Sequence, residues 1–406
     1  MKINPDVLII GAGISGITCA AKCQEKNLDF ILIEKDKRPG GRLGSIYEYG
    51  YTFDIGFQVF NTSYNITKSL LNLNQIKLQY FKPGALIRND NHFEIISDPI
   101  RDIGQTFNTL FSSIPTLKDK LKILKLKFSL LNYSIEKDQS EDTETRIYLQ
   151  KFGFSENMIN SFFSPFFAGV FLEKKLNTSS KFFKYVFSKL SKGYASLPLN
   201  GMQEIPNNIL RNIDKNKIFF DSDVEEVGTN KQVKLSSGQI LKPSRIILTG
   251  ASQNLINKVN VKKNSVKTLY FKTDSKPNYS KYIHIFPDEK YINNIAFLTS
   301  ISDQYSVNND ILLSVSIIKT DLSQTKLISH VLDRLKNIYG GNFVLLKYFD
   351  IQQATIYQPK NYFNKKSRHK LQDDIYFCGD NMVHGSIEGA VISGIRVSDM
   401  LCENFI

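Results

Sequence analysis

The chain has 406 residues, of which 42% are apolar and 22% are charged, and this ordinary globular usage excludes a disordered or low-complexity protein. At about 150 residues per domain, its length predicts two or three folding units. The 52 lysines and arginines exceed the 39 aspartates and glutamates, for a formal charge of +13. Lysine dominates this excess and no dense basic block occurs, so nucleic acid is not an expected partner.

The four cysteines lack the spacing of a disulfide framework or of a metal site, so we expect free thiols in a reducing compartment and no bound metal. The first residues lack the three-part pattern of a signal peptide. No uncharged apolar run reaches the roughly 20 residues that span a bilayer. These features predict a cytoplasmic protein that is either soluble or peripherally associated with a membrane.

The first predicted elements form a β-α-β unit. Residues 6–10 are a short β-branched apolar run, typical of a buried parallel strand. A turn with Gly11, Gly13 and Gly16 follows, then a helical pattern, then a second apolar strand that ends at Glu34. Glu34 comes 34 − 13 = 21 residues after Gly13, near the roughly 20 expected for a ribose-binding acid. The order of these elements indicates a dinucleotide-binding site.

Each residue type suits one task in such a site. Gly11 allows a tight turn, Gly13 lets the backbone approach a pyrophosphate, and Gly16 lets the helix pack closely on the sheet. The helix N-terminus offers unpaired amides and a partial positive charge to the phosphates. We therefore predict cofactor contacts at Gly11, Gly13, Ile14, Ser15, Gly16, Glu34 and Lys35.

Two adjacent glycines followed by an arginine occur within residues 38–45, Arg-Pro-Gly-Gly-Arg-Leu-Gly-Ser. It resembles a segment of the superfamily that contains flavin-containing amine oxidases, phytoene desaturases and protoporphyrinogen oxidases. The resemblance implies that the cofactor is FAD and that Gly41 and Arg42 cross its pyrophosphate. Residues 53–61 are similar to the family segment beside the isoalloxazine ring, which implies contacts from Gly56, Phe57 and Gln58. The residue that matches Val224 holds the adenine through its backbone in relatives.

A second cofactor motif lies near the end of the chain. Residues 374–380 form an apolar strand pattern that ends in Gly379 and Asp380, and a helical pattern follows. The motif resembles the second FAD fingerprint of the superfamily, which implies that Asp380 binds the ribityl chain. The helix start at 386–390 would face flavin N1, where its dipole stabilises negative charge. The implied contacts are Gly379, Asp380, Ser386, Ile387 and Ala390.

The resemblance implies an α/β fold, with a discontinuous Rossmann-like FAD-binding domain and an interleaved α+β substrate domain. We assign residues 1–81, 196–261 and 361–406 to the FAD-binding domain, and residues 82–195 and 262–360 to the substrate domain. Residues 164–171 also resemble bacterial phytoene-desaturase-like oxidoreductases.

Two features of the predicted substrate domain bear on its ligand. Ten of the 29 phenylalanines fall within residues 152–187; most suit a helical core, and some are expected to line a pocket for a hydrophobic small-molecule substrate. Residues 117–131 alternate lysines with large apolar residues. This segment could lie on an acidic membrane as a peripheral contact, and a solvated helix packed on the core is the alternative that we favour.

Hydride transfer to a flavin needs orientation and desolvation more than a strong catalytic acid. His384 is a candidate for moving a proton, with simple packing as the alternative, and Gln58 and Tyr357 are candidates for positioning substrate. The leading hypothesis is a desaturase, dehydrogenase or isomerase that acts on an isoprenoid or carotenoid-like molecule.

Two other functions stay open. The first is an amine oxidase or a protoporphyrinogen-type oxidase. Amine oxidases of the superfamily commonly carry a tyrosine two residues before a Glu-Gly-Ala stretch, where this chain has Ser386, and the chain has no tryptophan; both features disfavour amines. The second is a flavin-binding partner protein without turnover.

Overall fold

The computed structural model describes residues 2–90, 92–98, 100–228, 230–256, 261–364, 369–372 and 374–403. The β-strands are β1 Val7–Ile10, β2 Phe30–Ile33, β3 Ser45–Glu48, β4 Tyr51–Asp54, β5 Phe60–Asn61, β6 Gln79–Tyr80, β7 Gly84–Asn89, β8 His92–Ser97, β9 Ala195–Leu197, β10 Ile218–Phe219, β11 Val224–Val227, β12 Val233–Leu235, β13 Ile240–Leu241, β14 Arg245–Thr249, β15 Lys263–Thr273, β16 Ile283–Ile285, β17 Ile292–Phe297, β18 Ile311–Ile317, β19 Phe343–Ile356, β20 Lys370–Gln372 and β21 Ile375–Cys378.

The α-helices are α1 Ile14–Glu25, α2 Asn65–Ser69, α3 Leu73–Ile76, α4 Thr106–Phe111, α5 Leu117–Ser129, α6 Thr145–Phe152, α7 Glu156–Met158, α8 Ser164–Phe171, α9 Ser180–Lys192, α10 Glu204–Leu210, α11 Gln324–Tyr339 and α12 Ile387–Glu403. A π-helical turn, Ile159–Phe163, joins α7 to α8.

A six-stranded sheet, in the order β10-β2-β1-β14-β21-β20, forms the centre of one half of the molecule. We call this half the first half, although β20 and β21 come from the end of the chain. All neighbours in the sheet are parallel except β20 and β21. The four residues of β1 are buried, as a central strand covered on both faces requires. Helices α1 and α12 cover one face, and the small antiparallel sheet β11-β12-β13 packs on the other. The predicted α/β fold is confirmed.

A seven-stranded mixed sheet, in the order β19-β15-β18-β17-β16-β7-β8, forms the centre of the other half of the molecule, which we call the second half. Helix α11 covers one face with Leu327, Val331 and Leu335, which recur every four residues and are fully buried. On the other side, α5 to α9 enclose a separate aromatic core that contains Phe163 and Phe183.

The strands of the six-stranded sheet fall in the segments predicted for the cofactor domain, and those of the seven-stranded sheet fall in the segments predicted for the substrate domain. The exact division at residues 81, 195, 261 and 360 stays a prediction. The last segment of the predicted FAD-binding domain, residues 361–406, includes residues 365–368, 373 and 404–406, which lie outside the described residues.

Candidate functional site

The glycine-rich turn joins β1 to α1 at the carboxyl end of the central sheet. Gly11 has a φ of 102°, a conformation that favours glycine. A Cβ on Gly16 would overlap the carbonyl oxygen of Gly11, so helix and turn are in direct backbone contact there. A Cβ on Gly13 would meet no atom within 4 Å. Gly13 therefore leaves an open space at the helix start, where the amide groups of Ile14 and Ser15 lie.

Glu34 directly follows β2 beside this turn and is 7% exposed. Its carboxylate accepts hydrogen bonds from the amide of Ala12 at 2.6 Å and from the amide of Asp36 at 3.0 Å. These bonds fix the side chain at the carboxyl end of β2. A carboxylate has about four acceptor positions, so capacity remains for the two hydroxyl groups of a ribose.

The segment after β2 crosses over the glycine turn. Gly40 pairs with Gly13 in a parallel bridge, and the amide of Gly40 donates to Ala12 O at 2.8 Å. The next residues bring the guanidinium of Arg42 to Asp380, with Nη2 and Oδ1 2.6 Å apart. The charge of Asp380 raises the pKa of Arg42 above its usual value. This ion pair joins the two cofactor motifs, which are 338 residues apart in sequence.

The second motif completes the site from the end of the chain. β21 ends before Gly379 and Asp380, and α12 begins at Ile387. The hydroxyl of Ser386 accepts from the amide of Gly389 at 3.0 Å, which caps the helix start. Helix α12 packs so closely on α1 that a Cβ on Gly394 would lie 2.9 Å from Thr18 Cβ. The two helix N-termini consequently lie at one cleft.

One cavity of about 1650 Å³ contains this cleft and continues into the second half of the molecule. It exceeds the roughly 300–1,000 Å³ of common ligand pockets, so it has room for a cofactor and a further ligand. Every predicted cofactor contact except Gly16 lines it: Gly11, Gly13, Ile14, Ser15, Glu34, Lys35, Gly41, Arg42, Gly56, Phe57, Gln58, Val224, Gly379, Asp380, Ser386, Ile387 and Ala390. Gly16 instead packs against the backbone of Gly11 in the turn.

The residues present fit a bound FAD. The open space at Gly13 lies at the N-terminus of α1, which suits phosphate groups, and the N-terminus of α12 lines the same cavity, which suits a reduced ring. Gln58 supplies a second sign: its Nε2 donates to Arg42 O at 2.7 Å and to Ile55 O at 3.1 Å, whereas its buried Oε1 has no partner within the described residues. Such an atom in a cavity calls for a ligand or a water molecule.

The other two predicted catalytic residues do not line the cavity. His384 is 5% exposed and packs against Tyr185, with ring centroids 4.2 Å apart. Burial, aided by the charge of Lys189, lowers the pKa of His384 to about 3, so the ring is neutral near pH 7. Its Nδ1 lies 3.0 Å from Ser386 Oγ. This geometry favours the packing alternative, and the proton-transfer role stays an untested prediction.

Tyr357 directly follows β19 and is not part of the cavity lining. Its amide donates to Lys262 O at 2.9 Å, and the Lys262 ammonium lies 4.7 Å from its ring centre. A role in positioning substrate therefore stays a prediction without geometric support.

The cavity wall in the second half contains a group of phenylalanines. Five of the ten clustered phenylalanines line it, namely Phe162, Phe166, Phe167, Phe182 and Phe187. Phe163 and Phe183 are fully buried in the core behind them. The division between pocket and core that the sequence leaves open thus falls within single helices.

Lys189 is a candidate that the sequence did not single out. It lies on α9 one turn after Tyr185 and lines the cavity. Its Nζ donates to Ser63 O at 3.3 Å and lies 5.3 Å from the Tyr185 ring centre. Burial lowers the pKa of Lys189. Only its place on the same helical face as Phe182 and Val186 could have indicated it.

Comparison with known proteins decides the family. The profile described as "Flavin containing amine oxidoreductase" matches residues 14–402. The chain belongs to this family. It is therefore an FAD-dependent oxidoreductase, as the two cofactor motifs predict.

Individual relatives are distant and functionally diverse. The chain is 25% identical over 170 residues to protoporphyrinogen oxidase 2 of Arabidopsis thaliana, covering 40% of this chain and 32% of that protein. It is 38% identical over 53 residues to 4,4'-diapolycopene oxygenase of a Methylomonas species, covering 13% and 11%. The chain thus spans less than two thirds of the length of these relatives.

A solved structure of a provisionally assigned protoporphyrinogen oxidase from Exiguobacterium sp. 255-15 superposes with a TM-score of 0.74, at 14% identity and with 99% of each chain covered. Putrescine oxidase bound to putrescine superposes with a TM-score of 0.71, at 14% identity and with 98% and 99% covered. These likenesses concern the fold.

Proposed function

We propose that this flavoenzyme transfers hydride between a hydrophobic substrate, of isoprenoid or carotenoid type, and N5 of FAD. The observation that carries the proposal is the continuity of the cavity from the glycine turn to the wall of phenylalanines. An elongated apolar molecule buries its surface against such a wall while one end reaches the cofactor. Bound FAD supplies the hydride acceptor or donor, and the chain supplies binding and orientation.

The chain's own groups suit a reaction of this kind. Phe166, Phe167 and Phe182 exclude water from the substrate, which favours hydride transfer over side reactions. Gln58 is fixed by its two donated hydrogen bonds and offers a buried acceptor, Oε1, to the substrate. Both effects act through orientation and desolvation, so the reaction needs no catalytic triad.

The charge of the cavity wall disfavours a protonated amine as substrate. Within the described residues, the wall in the second half carries one acid, Asp98, against seven cations, namely Lys82, Arg101, Lys120, Lys127, Lys189, Lys262 and Lys263. Asp98 is itself paired with Arg101 at 2.8 Å and with Lys127 at 2.7 Å. A cationic substrate would meet like charges there.

The same wall favours a second candidate, oxidation of a porphyrinogen, whose carboxylates could pair with Lys189. Relatives with this named activity support it. Lys189→Met separates the two candidates. It should raise KM for a porphyrinogen about tenfold or more and leave KM for a polyene unchanged, with the same flavin content. An unchanged porphyrinogen KM would remove the second candidate.

Anaerobic bleaching of the flavin tests the proposed function. The purified holoenzyme is mixed with a polyene, a porphyrinogen or an amine, and the flavin absorbance is followed. Bleaching by the polyene supports the proposal. Bleaching only by the porphyrinogen or the amine contradicts it, and a flavin that no compound reduces supports a non-catalytic partner protein.

A pair of matched variants ties the reaction to the cavity. Val170 lines the cavity and is 38% exposed, whereas Val307 is 70% exposed and lies outside it. Val170→Arg puts a charge into the apolar end and should abolish bleaching by the polyene with the flavin spectrum intact. Val307→Arg should behave as the wild type. Equal rates in both variants would show that the substrate binds elsewhere.

A further inference from the structure

The apolar side of α5 faces solvent. Leu117, Leu121, Leu124 and Phe128 follow each other at intervals of four, three and four residues, so they form one stripe along the helix. Their exposed fractions are 71%, 67%, 37% and 63%. Leu126, on the opposite side, is fully buried in the core. An amphipathic surface helix ordinarily buries its apolar stripe, so this orientation needs a partner.

Helix α4 extends the same surface. Phe107 and Phe111 are 73% and 79% exposed. The Nζ of Lys120 on α5 donates to Leu110 O on α4, which ties the two helices together. We call Phe107, Phe111 and the α5 stripe the apolar rim. An exposed apolar patch of this kind marks a protein or membrane contact.

The rim lies where the cavity opens. Leu110 and Leu124 both line the cavity and are also 48% and 37% exposed to solvent. They belong to α4 and α5, the two helices that carry the rim. A hydrophobic molecule that leaves the cavity there would pass directly over the rim.

Lysines border the stripe on both sides. Lys118 and Lys125 are exposed along one side. Along the other side, Lys120 is half-buried, and Lys127 pairs with Asp98 at 2.7 Å. The one acid of α5, Asp119, is buried and caps the helix through Thr116. Apolar residues flanked by lysines are the pattern of a helix that lies in the surface of an anionic bilayer.

We propose that the apolar rim docks on an anionic lipid bilayer, with α4 and α5 in the interface. None of the helices in the described ranges has the length and hydrophobicity of a transmembrane span. A second copy of the chain fits less well, because a twofold pair would bring the α5 lysines of both copies together. Resting on the proposed function, the contact would let a hydrophobic substrate pass between bilayer and cavity without crossing water.

The absence of tryptophan from the sequence allows a site-specific test. Leu121→Trp places a single tryptophan on the rim. The matched control is Tyr49→Trp, at a residue that is 90% exposed on the β3–β4 turn. Each holoenzyme is mixed with phosphatidylcholine vesicles, with or without phosphatidylglycerol. On acidic vesicles the emission of Leu121→Trp should shift to the blue and be quenched by brominated lipid, and that of Tyr49→Trp should not. No shift at position 121 would overturn the proposal.

Co-sedimentation with the same vesicles tests the two parts of the surface. Two double variants are compared: one combines Leu121→Ser with Phe128→Ser, and the other combines Lys118→Glu with Lys125→Glu. Each should lower the affinity for acidic vesicles at least tenfold. For the lysine variant, the reason is that each lysine near an anionic surface contributes about fivefold to the affinity. Tyr49→Ser should bind as the wild type. Equal binding by all variants would overturn the proposal. The proposal would also be overturned if the wild type bound no vesicles and formed a dimer in light scattering that Leu121→Ser dissociates.

These results are independent of the proposed reaction. Vesicle binding with no reduction of the flavin by a polyene would leave the docking surface intact and refute the proposed function. Reduction by a polyene in detergent micelles with no vesicle binding would do the reverse.

Discussion

Two glycines of the first turn, three residues apart, are predicted to fail in different ways when alanine replaces them. At Gly16 the new Cβ would overlap the carbonyl oxygen of Gly11 and lie 3.3 Å from Thr249 Cγ2, inside the roughly 3.5–4.0 Å of a favourable carbon contact. Overpacking against backbone costs about 3 kcal/mol, and the better helix propensity of alanine offsets about 1 kcal/mol. Gly16→Ala should therefore destabilise the apoprotein by about 2 kcal/mol.

At Gly13 the new Cβ meets no atom within 4 Å, and the φ of −66° and ψ of 171° suit alanine. Gly13→Ala should change the stability of the apoprotein by less than about 0.5 kcal/mol. The methyl group would occupy the space next to the helix amides where we expect the pyrophosphate. FAD affinity should therefore fall about tenfold or more, which corresponds to about 1.4 kcal/mol.

Two measurements on each variant separate these effects. Urea unfolding of the apoprotein gives the stability, and titration with FAD, followed by quenching of flavin fluorescence, gives the affinity. A Gly13→Ala protein that binds FAD as tightly as the wild type would refute the placement of the pyrophosphate. A Gly16→Ala protein of wild-type stability would refute the close contact between helix and turn.

Three further predictions follow from buried charged or titratable groups. Burial raises the pKa of Asp54 from 3.8 to about 6. The contribution of Asp54 to the free energy of unfolding is therefore largest below pH 4, and it declines by up to about 3 kcal/mol as the pH rises to 6 (6 − 3.8, at about 1.4 kcal/mol per pH unit). Thermal unfolding should show the stability of Asp54→Asn increasing relative to the wild type between pH 4 and 7, and a constant difference would contradict this. His384→Gln should leave the pH profile of flavin reduction unchanged between pH 6 and 8, because a ring with a pKa of about 3 does not titrate there; a lost titration step would restore its catalytic role. Arg42→Met leaves Asp380, whose side chain is 9% exposed, without its cation. The variant should lower the stability of the apoprotein by about 1–2 kcal/mol, which is less than for a fully buried pair because the Arg42 side chain is 40% exposed. An unchanged melting temperature would argue against the ion pair.

The cofactor half of the site is largely readable in the sequence because its contacts are local. Gly11, Gly13 and Glu34 act through turn geometry and strand ends, which spacing alone predicts. The meeting of Arg42 with Asp380 is different, since it joins residues 338 positions apart. There the resemblance to a known superfamily supplied the long-range pairing that no local pattern contains.

The substrate half could be predicted only in composition. Phe182 lines the cavity and Phe183 is buried behind it, although both are phenylalanines on one helix. The periodicity of α5 predicts an amphipathic helix but not which way its stripe faces. The sequence favours packing on the core, whereas Leu121 and Phe128 point outward and Leu126 points inward. Tertiary packing, and not local propensity, decides these orientations.

The measurement that tests the account most directly is the stoichiometry of FAD on the purified chain. The apoprotein is titrated with FAD, and bound flavin is quantified from its visible spectrum. Because both ends of the chain line a single cleft, we predict one FAD per chain, with an affinity that falls about tenfold or more in Gly13→Ala and is also weakened in Arg42→Met. A colourless protein that FAD cannot reconstitute, or binding that neither change affects, would contradict the account.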